Sequence, residues 1–176
     1  MHDAQIINLG GFLSRTARLF PERKALIKEG RSWSWKDVDQ RVQALATALN
    51  DLGLEKGDRI LVQSRNNLQL FESCWVAFRM GCVWVPTNFR LTSAEVSYLA
   101  TSSGACAMIY EAGFEEHATK VQQDSTSLKH LIRIGDIQGD QLSYESLVEN
   151  HLGQEHEVEP VEYDHPLWFF FTSGTT

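Results

Sequence analysis

The sequence lacks an apolar run long enough to cross a membrane, contains few cysteines and shows no recognisable export signal. A membrane-spanning helix needs about 20 predominantly apolar residues, whereas apolar runs such as 167–171 are much shorter. The opening residues, MHDAQ, lack the basic head and apolar centre of a secretory signal. The three cysteines, Cys74, Cys82 and Cys106, lie in apolar stretches, as core thiols of a reducing compartment do. We therefore expect a cytoplasmic protein without a transmembrane segment.

Positive charge is also scarce. The chain has 16 Lys and Arg against 23 Asp and Glu, which gives a formal net charge of −7. Such a surface repels a phosphate backbone at long range, so nucleic acid is not an expected partner. Small anions such as nucleotides are still compatible with this charge, because local backbone dipoles can hold them.

Three common ligand motifs are missing. No segment has the Gly-x-x-x-x-Gly-Lys-Ser/Thr pattern, and Gly10 and Gly11 do not have the spacing of a dinucleotide-binding fingerprint. His151 and His156 do not have the His-x-x-x-His spacing of a helical zinc site. We expect no metal site built from the side chains of this chain.

What the sequence does contain is a repeated alternation of helical and strand patterns, which predicts an α/β fold with helices packed on a mostly parallel sheet. Ser34 with Asp37, and Thr92 with Glu95, have the spacing of capping boxes at helix starts. Predicted helices cover residues 9–20, 35–52, 68–80, 93–102 and 143–149, with a polar helix between 110 and 131. A hairpin is predicted at 25–35, and strands at 59–64, 82–85, 106–110, 131–134 and 167–171. Residues 151–164 are polar and acidic, and are predicted to form an exposed connection.

The last residues carry the strongest chemical signal. The very apolar segment 167–171, predicted to be a buried strand, leads directly into Thr172, Ser173, Gly174, Thr175 and Thr176. Gly174 allows backbone conformations that are closed to other residues, and successive amides can then form an anion-binding nest. The hydroxyls add small donors, so the segment suits phosphate. The alternative is an ordinary turn at the end of a strand.

These residues resemble a known signature. The segment FTSGTT at 171–176 resembles the first half of the phosphate-binding loop of the adenylate-forming superfamily, which includes acyl- and aryl-CoA synthetases, luciferases and peptide-synthetase adenylation domains. The segments WSWKDV at 33–38 and RMGCVWVPTN at 79–88 resemble two upstream segments of the same superfamily, in the same order and at similar spacing. The segment NFRLT at 88–92, followed by Glu95, is similar to acyl-CoA ligases. Peptide-synthetase domains more often have an aspartate near Asn88.

The resemblance implies an enzyme that activates a carboxylic acid, fatty or aryl, to an acyl-adenylate and then to an acyl-CoA. ATP, Mg²⁺ and coenzyme A would take part, dimers are common among such proteins, and residues 172–176 would hold the β- and γ-phosphates. In these enzymes the lysine of the phosphate loop, the metal-binding acid and the C-terminal lysine domain all lie downstream of the residues that match 171–176. We therefore expect residues 1–176 to be the N-terminal subdomain of an acyl-CoA ligase, ending within the loop, with no catalytic residue of its own and no activity alone.

Two other interpretations stay open on the sequence. One is a different adenylate-forming enzyme, either a peptide-synthetase adenylation domain or a luciferase-like protein. The other is a non-catalytic α/β interaction domain in which the last loop is only a turn. Trp75, Trp84 and Trp168 are also open to two roles, since they could line an acyl pocket or pack in the core.

Overall fold

The computed structural model describes residues 8–137, 139 and 141–172. No helix in this described part of the chain is long and apolar enough to span a membrane. Its helices are α1 (Gly10–Leu19), α2 (Trp35–Asp51), α3 (Leu68–Arg79), α4 (Ser93–Ser103), α5 (Glu115–Asp124) and α6 (Tyr144–His151). Its strands are β1 (Lys24–Lys28), β2 (Arg31–Ser34), β3 (Arg59–Gln63), β4 (Val83–Pro86), β5 (Ala107–Glu111), β6 (His130–Ile134) and β7 (Leu142–Ser143).

The predicted caps fix the starts of α2 and α4. Ser34 Oγ accepts a hydrogen bond from the Asp37 amide at 3.1 Å, and the Ser34 amide donates to the Asp37 carboxylate at 2.9 Å, which forms the capping box of α2. Thr92 and Glu95 form the same box at α4. Each such cap stabilises a helix by about 1 kcal/mol. The predictions of helix starts from cap residues are therefore confirmed.

The predicted α/β class is confirmed by the sheet. Strands β4-β3-β5-β6-β7 form, in that order, a five-stranded sheet whose neighbouring strands are all parallel. The short strand β7 was not predicted, because only two residues, Leu142 and Ser143, pair with β6 before α6 begins. The predicted hairpin is also present, as the separate antiparallel pair β1 and β2.

Alternate side chains of the strands pack into two hydrophobic cores, one on each face of the sheet. Ile60 and Val62 of β3 pack with α1, α2, α3 and α6, whereas Leu61 between them packs with α4 and α5 on the opposite face. Ala107 and Met108 of β5 divide in the same way. Both faces of the parallel sheet are covered by helices, which explains why its strands read as continuous apolar runs.

The cysteines belong to this packing. Cys82 and Cys106 are buried and Cys74 is half-buried, and all three are free thiols. Burial raises the pKa of Cys82 to about 12 and that of Cys106 to about 11. These thiols are therefore protonated at neutral pH and act as small core residues.

A buried ionic cluster joins three helices behind the sheet. The fully buried carboxylate of Glu72 on α3 accepts hydrogen bonds from Arg41 of α2, at 2.6 and 3.1 Å, and from the Tyr144 hydroxyl of α6, at 3.0 Å. Arg41 also donates to Glu145 of α6. Burial raises the pKa of the Glu72 carboxyl, and the donors from Arg41 and Tyr144 oppose that shift. The cluster therefore ties α2, α3 and α6 into one layer.

Residues 154–165, which we call the strap, overlap the stretch 151–164 that was predicted to be an exposed connection. Most side chains of that stretch are exposed and no helix or strand follows α6 in it, but the strap is also anchored by hydrogen bonds that were not predicted. Arg79 Nη1 donates to the His156 carbonyl at 2.5 Å, the Glu159 amide donates to the Arg79 carbonyl at 2.8 Å, and Lys56 Nζ donates to the Pro160 carbonyl at 2.7 Å. Val161 is only 3% exposed. The anchoring was not predicted because these hydrogen bonds use backbone groups of the strap, which leave no mark in a sequence pattern.

Residues 167–172, which we call the edge segment, correct a prediction. They lie beside β4 and extend the sheet, as expected of a strand, but a single bridge between Trp84 and Trp168 holds them. Their side chains are not buried, since Trp168 is 47% and Phe170 73% exposed. The prediction of a buried strand was wrong because the apolar composition of a segment does not tell which neighbours cover it.

Candidate functional site

The edge segment directs the chain towards the carboxyl end of the parallel sheet. The Trp84 amide donates to the Leu167 carbonyl at 2.9 Å, and the Phe169 amide donates to the Trp84 carbonyl at 3.0 Å. The segment therefore runs parallel to β4. Thr172 comes three residues after Phe169 and lies beyond the end of β4, where open α/β sheets bind their ligands.

A groove of about 520 Å³ opens at this point, and we call it the Thr172 groove. One wall is formed by Thr87 and Asn88, which follow β4, and the other by α4, with Tyr98 as its largest exposed side chain. Phe171 and Thr172 lie along it. The first residue of the predicted phosphate loop therefore lines a groove of nucleotide-compatible size.

The polar groups next to this groove are mostly neutral. Thr87 Oγ1 lies 3.0 Å from the Val62 carbonyl and in close contact with Gln63 Oε1. Gln63 is fully buried, and its Nε2 donor has no partner among the described residues. A buried amide donor beside the groove is costly unless it is paired. Neutral hydrogen-bonding groups, those of Gln63 and Thr87, thus lie together where β3 and β4 end.

The one charged side chain that lines the groove, among the described residues, is Glu95. A hydrogen bond from the Thr92 backbone amide holds the pKa of Glu95 below its usual range, so this side chain is an anion at neutral pH. A triphosphate bound here would need positive charge or backbone amides from other residues. The described part of the groove supplies shape and neutral donors rather than countercharge.

A second common ligand position in such a sheet, the crevice between β3 and β5, is occupied by a side chain of the protein itself. Chain connections diverge between β3 and β5, and the crevice at such a point is a frequent ligand site. Here Glu111, at the end of β5, fills it: its carboxylate accepts from the Arg65 amide at 2.7 Å and from Ser64 Oγ at 3.2 Å. The chain therefore satisfies these donors with its own carboxylate.

The site residues that the sequence predicted are only partly described. Thr172 is exposed at the groove, whereas Ser173, Gly174, Thr175 and Thr176 lie outside the described residues. Sequence reasoning did not identify the groove itself, although Asn88 belonged to a recognised segment. The available signal was that both 87 and 172 directly follow apolar segments, which a parallel arrangement brings to the same edge.

His151 and His156 each contact different groups and do not form a shared site. His151 Nδ1 lies 2.8 Å from the Leu147 carbonyl, and its Nε2 lies 3.4 Å from the Asp51 carboxylate. His156 Nδ1 lies 2.8 Å from the Glu157 carbonyl. Within the described ranges, no three side chains of metal-binding type come together.

An apolar groove of about 450 Å³ lies on the opposite face of the sheet, between the hairpin and α3. Leu26, Leu70 and Phe71 line it, together with Trp84. The Trp84 ring contacts that of Trp168 in an edge arrangement, with centroids 4.7 Å apart. Trp84 therefore both packs in the core and borders an open apolar surface.

Comparison with known proteins decides the family. The sequence model of the AMP-binding enzymes matches residues 13–176. The chain belongs to the AMP-binding enzyme family. A fatty acid–[acyl-carrier-protein] ligase of Streptomyces coeruleorubidus, ScoC, is 27% identical over 176 residues, which cover all of this chain and 32% of that protein. A 3-oxocholest-4-en-26-oate–CoA ligase of Rhodococcus rhodochrous is 26% identical over 130 residues, which cover 74% of this chain and 23% of that protein.

A solved structure agrees on the fold. The anthranilate–CoA ligase AuaEII in complex with anthranoyl-AMP superposes with a TM-score of 0.91 over 97% of this chain and 33% of that one, at 20% identity. The chain thus spans between about a quarter and a third of the length of these relatives. Residues 33–38, 79–88 and 171–176 were predicted to resemble segments of the adenylate-forming superfamily. The family match confirms that resemblance.

Proposed function

We propose that this chain is the N-terminal part of an ATP-dependent acid–thiol ligase that converts a carboxylic acid to an acyl-adenylate and then to an acyl-CoA. The observation that carries the proposal is the family match over residues 13–176. The position of Thr172 at a groove beyond the end of β4 supports it, because the loop that follows starts at the ligand-binding edge of the sheet.

The chemistry follows from the poor reactivity of a carboxylate. Its oxygen attacks the α-phosphorus of ATP, the bond from that phosphorus to the pyrophosphate oxygen breaks, and an acyl-adenylate forms. The thiol of coenzyme A then attacks the acyl carbon, loses its proton, and AMP leaves with the bonding electrons. The protein has to position a highly charged triphosphate and stabilise charge as it develops.

In this scheme residues 172–176 hold the β- and γ-phosphates through backbone amides and hydroxyl donors. Mg²⁺ accompanies the triphosphate and shares its charge. The Thr172 groove carries the Glu95 carboxylate and no cation among its described lining residues. Countercharge from that metal and from residues outside this chain is therefore part of the proposal, and we propose that the 176-residue chain alone forms no adenylate.

The acceptor thiol has a second candidate. ScoC, which aligns with the whole of this chain, acts on an acyl-carrier protein according to its name. A carrier-bound phosphopantetheine thiol offers the same nucleophile as coenzyme A. We propose coenzyme A as the acceptor because the other named relative is a CoA ligase.

The test is carboxylate-dependent exchange of labelled pyrophosphate into ATP, measured on the longest natural form of the protein, its length established by intact mass. Thr172→Val removes one hydroxyl donor without changing side-chain volume. We expect the exchange rate at limiting ATP to fall by about tenfold or more, because a hydrogen bond to a charged group stabilises by roughly 1.5–3 kcal/mol.

Thr101→Val is the matched control, since Thr101 is exposed on α4 and its hydroxyl only donates to the Ser97 carbonyl. Exchange that is equal in both variants would remove Thr172 from the phosphate site. Absence of exchange with fatty, aryl and small acids alike would instead favour the non-catalytic interpretation. Product analysis with coenzyme A or carrier protein separates the two acceptors.

A further inference from the structure

We propose that the outer face of α1, together with the turn that follows it, is a docking surface for an anionic lipid bilayer. We call it the α1 surface, and it consists of Phe12, Arg15, Arg18, Leu19, Phe20 and Arg23. The inference rests on the exposure and the charges of these residues and is independent of the proposed ligase activity. None of them lines the Thr172 groove.

The first basis is the position of apolar side chains on α1. The helix turns Leu13 and Ala17 into the core, where they are 1% and 7% exposed. Phe12 and Leu19 are seven residues apart, so they lie within about 20° of each other on the helix surface. They are 48% and 58% exposed. A helix on the surface of a domain normally presents polar residues to water, whereas α1 presents a second apolar stripe there.

The second basis is the basic residues that border this stripe. Arg15 and Arg18 are exposed on α1, and the exposed Arg23 lies over the ring of Phe20, at 4.8 Å from its centroid. Residues 12–31 contain six Lys and Arg and two Glu, a net charge of +4 in a chain whose formal net charge is −7. The rest of the chain therefore carries −11.

These cations are not neutralised within the protein. Among the described residues, none of the six Lys and Arg of residues 12–31 lies within ion-pair distance of a carboxylate, whereas seven Lys and Arg elsewhere in the chain do. Positive charge that is concentrated and unpaired in an otherwise acidic protein attracts an external anionic surface. The α1 surface thus has a charge complementary to that of anionic headgroups.

The combination of cations with apolar side chains selects a bilayer as the partner. Nucleic acid would match the arginines, but its backbone offers no apolar phase to Phe12 and Leu19. An anionic bilayer offers both, since its headgroups attract Lys and Arg while its interfacial region takes up exposed apolar side chains. Arginine stems can lie along that apolar region while the guanidinium reaches a phosphate.

The charge of the rest of the chain sets the orientation. An anionic surface repels the part that carries −11 and attracts the part that carries +4, so the protein approaches with α1 towards the lipid. Salt screens this attraction but leaves the apolar contact intact. Binding is therefore expected to weaken, without vanishing, as ionic strength rises.

The experiment is cosedimentation of the longest natural form of the protein with lipid vesicles. One set contains phosphatidylcholine with phosphatidylglycerol, and the other contains phosphatidylcholine alone. We expect binding to the anionic vesicles and at least tenfold weaker binding to the neutral ones, because each Lys or Arg near an anionic surface strengthens binding by roughly fivefold.

Two pairs of variants assign this binding to the α1 surface. Arg15→Glu should weaken binding to anionic vesicles by about tenfold or more, whereas Lys129→Glu, the same change in net charge at an exposed lysine outside the surface, should not weaken it. Leu19→Ser should also weaken binding by about tenfold, whereas Leu152→Ser, at a side chain that is 52% exposed, should not. The effect of Arg15→Glu should shrink at high salt, and that of Leu19→Ser should persist.

Absence of vesicle binding, equal binding to neutral and anionic vesicles, or the same effect of a variant and its control would each overturn the proposal. A DNA duplex in place of the vesicles tests the alternative partner. Binding to DNA that Arg15→Glu weakens and Leu19→Ser leaves unchanged, without binding to vesicles, would assign the surface to nucleic acid instead.

Discussion

The strap and the edge segment are neighbours in the chain, yet they are held in opposite ways. The strap is polar and acidic, and it is fixed by hydrogen bonds from Arg79 and Lys56 and by the buried side chain of Val161. The edge segment is the most apolar stretch near the end of the chain, and two backbone hydrogen bonds to Trp84 hold it while Phe170 is exposed. How firmly each segment is held therefore depends on the hydrogen-bonding and packing partners that it finds, and not on its hydrophobicity.

The difference has a physical origin. A strap without regular structure still has to satisfy its backbone carbonyls, and long basic side chains can reach them from a helix or a turn. Arg79 does this from the end of α3, where it also pairs with Asp39 at 2.9 Å and contacts Ser14 of α1. An apolar edge has no comparable directional partner, so its position depends on what packs against it.

The largest expected effect comes from removing the main anchor of the strap. Arg79 is 3% exposed, and burial lowers the pKa of its guanidinium while Asp39 opposes that shift. Arg79→Ala leaves Asp39 without its cation and the His156 carbonyl without its donor. We expect a loss of about 3–5 kcal/mol in the free energy of unfolding, measured by urea denaturation.

Arg15→Ala is the control for this change, since Arg15 is an exposed arginine on α1. It should alter the free energy of unfolding by no more than about 0.5 kcal/mol. Arg79→Lys should fall between the two, because an ammonium cannot reproduce the forked contacts of the guanidinium. Equal stability of the alanine variants would mean that the strap is not anchored by Arg79.

A small residue of the strap should contribute more to stability than a large residue of the edge segment. Val161→Ala removes two buried methyl groups and should cost about 2 kcal/mol. Phe170→Ala removes a much larger side chain that is 73% exposed, and should change the free energy of unfolding by less than about 0.5 kcal/mol. Urea denaturation compares them directly. The reverse order of effects would contradict the contrast between the two segments.

The parts of the fold that the sequence predicted are those with local causes. The capping pairs at Ser34 and Thr92 mark helix starts because their hydrogen bonds span only three residues. The strands of the parallel sheet were predictable because burial on both faces makes them continuously apolar. These signals gave the class and the order of elements.

The parts that the sequence did not predict depend on distant partners. Nothing near residue 161 indicates that its side chain packs against Gly81, and nothing near Glu111 indicates that it closes the crevice at Arg65. The Thr172 groove is of the same kind, since Thr87 and Thr172 meet only through strand pairing. For the site, the sequence therefore predicted the residue types of the loop but not the surface that the loop joins.

The smallest expected effect is also the sharpest test of strap contact. Gly81 and Gly57 both have positive φ, +64° and +86°, so an alanine at either position pays a similar backbone cost of about 1 kcal/mol. Only at Gly81 would the added Cβ meet the strap, at 3.1 Å from Val161 Cγ1 and 3.2 Å from Glu159 Cγ, and it would also lie 3.2 Å from Lys56 Cγ. At Gly57 it would meet nothing within 4 Å.

Gly81→Ala should therefore destabilise the chain by about 1 kcal/mol more than Gly57→Ala, the excess being the cost of overpacking against the strap. A double-mutant cycle separates the two contributions. In a Val161→Ala background the nearest obstructing methyl is gone, so the excess at Gly81 should shrink while the cost at Gly57 stays the same. An excess that persists unchanged in that background would place the strain outside the contact with Val161, at Glu159 Cγ and Lys56 Cγ or in the backbone of Gly81.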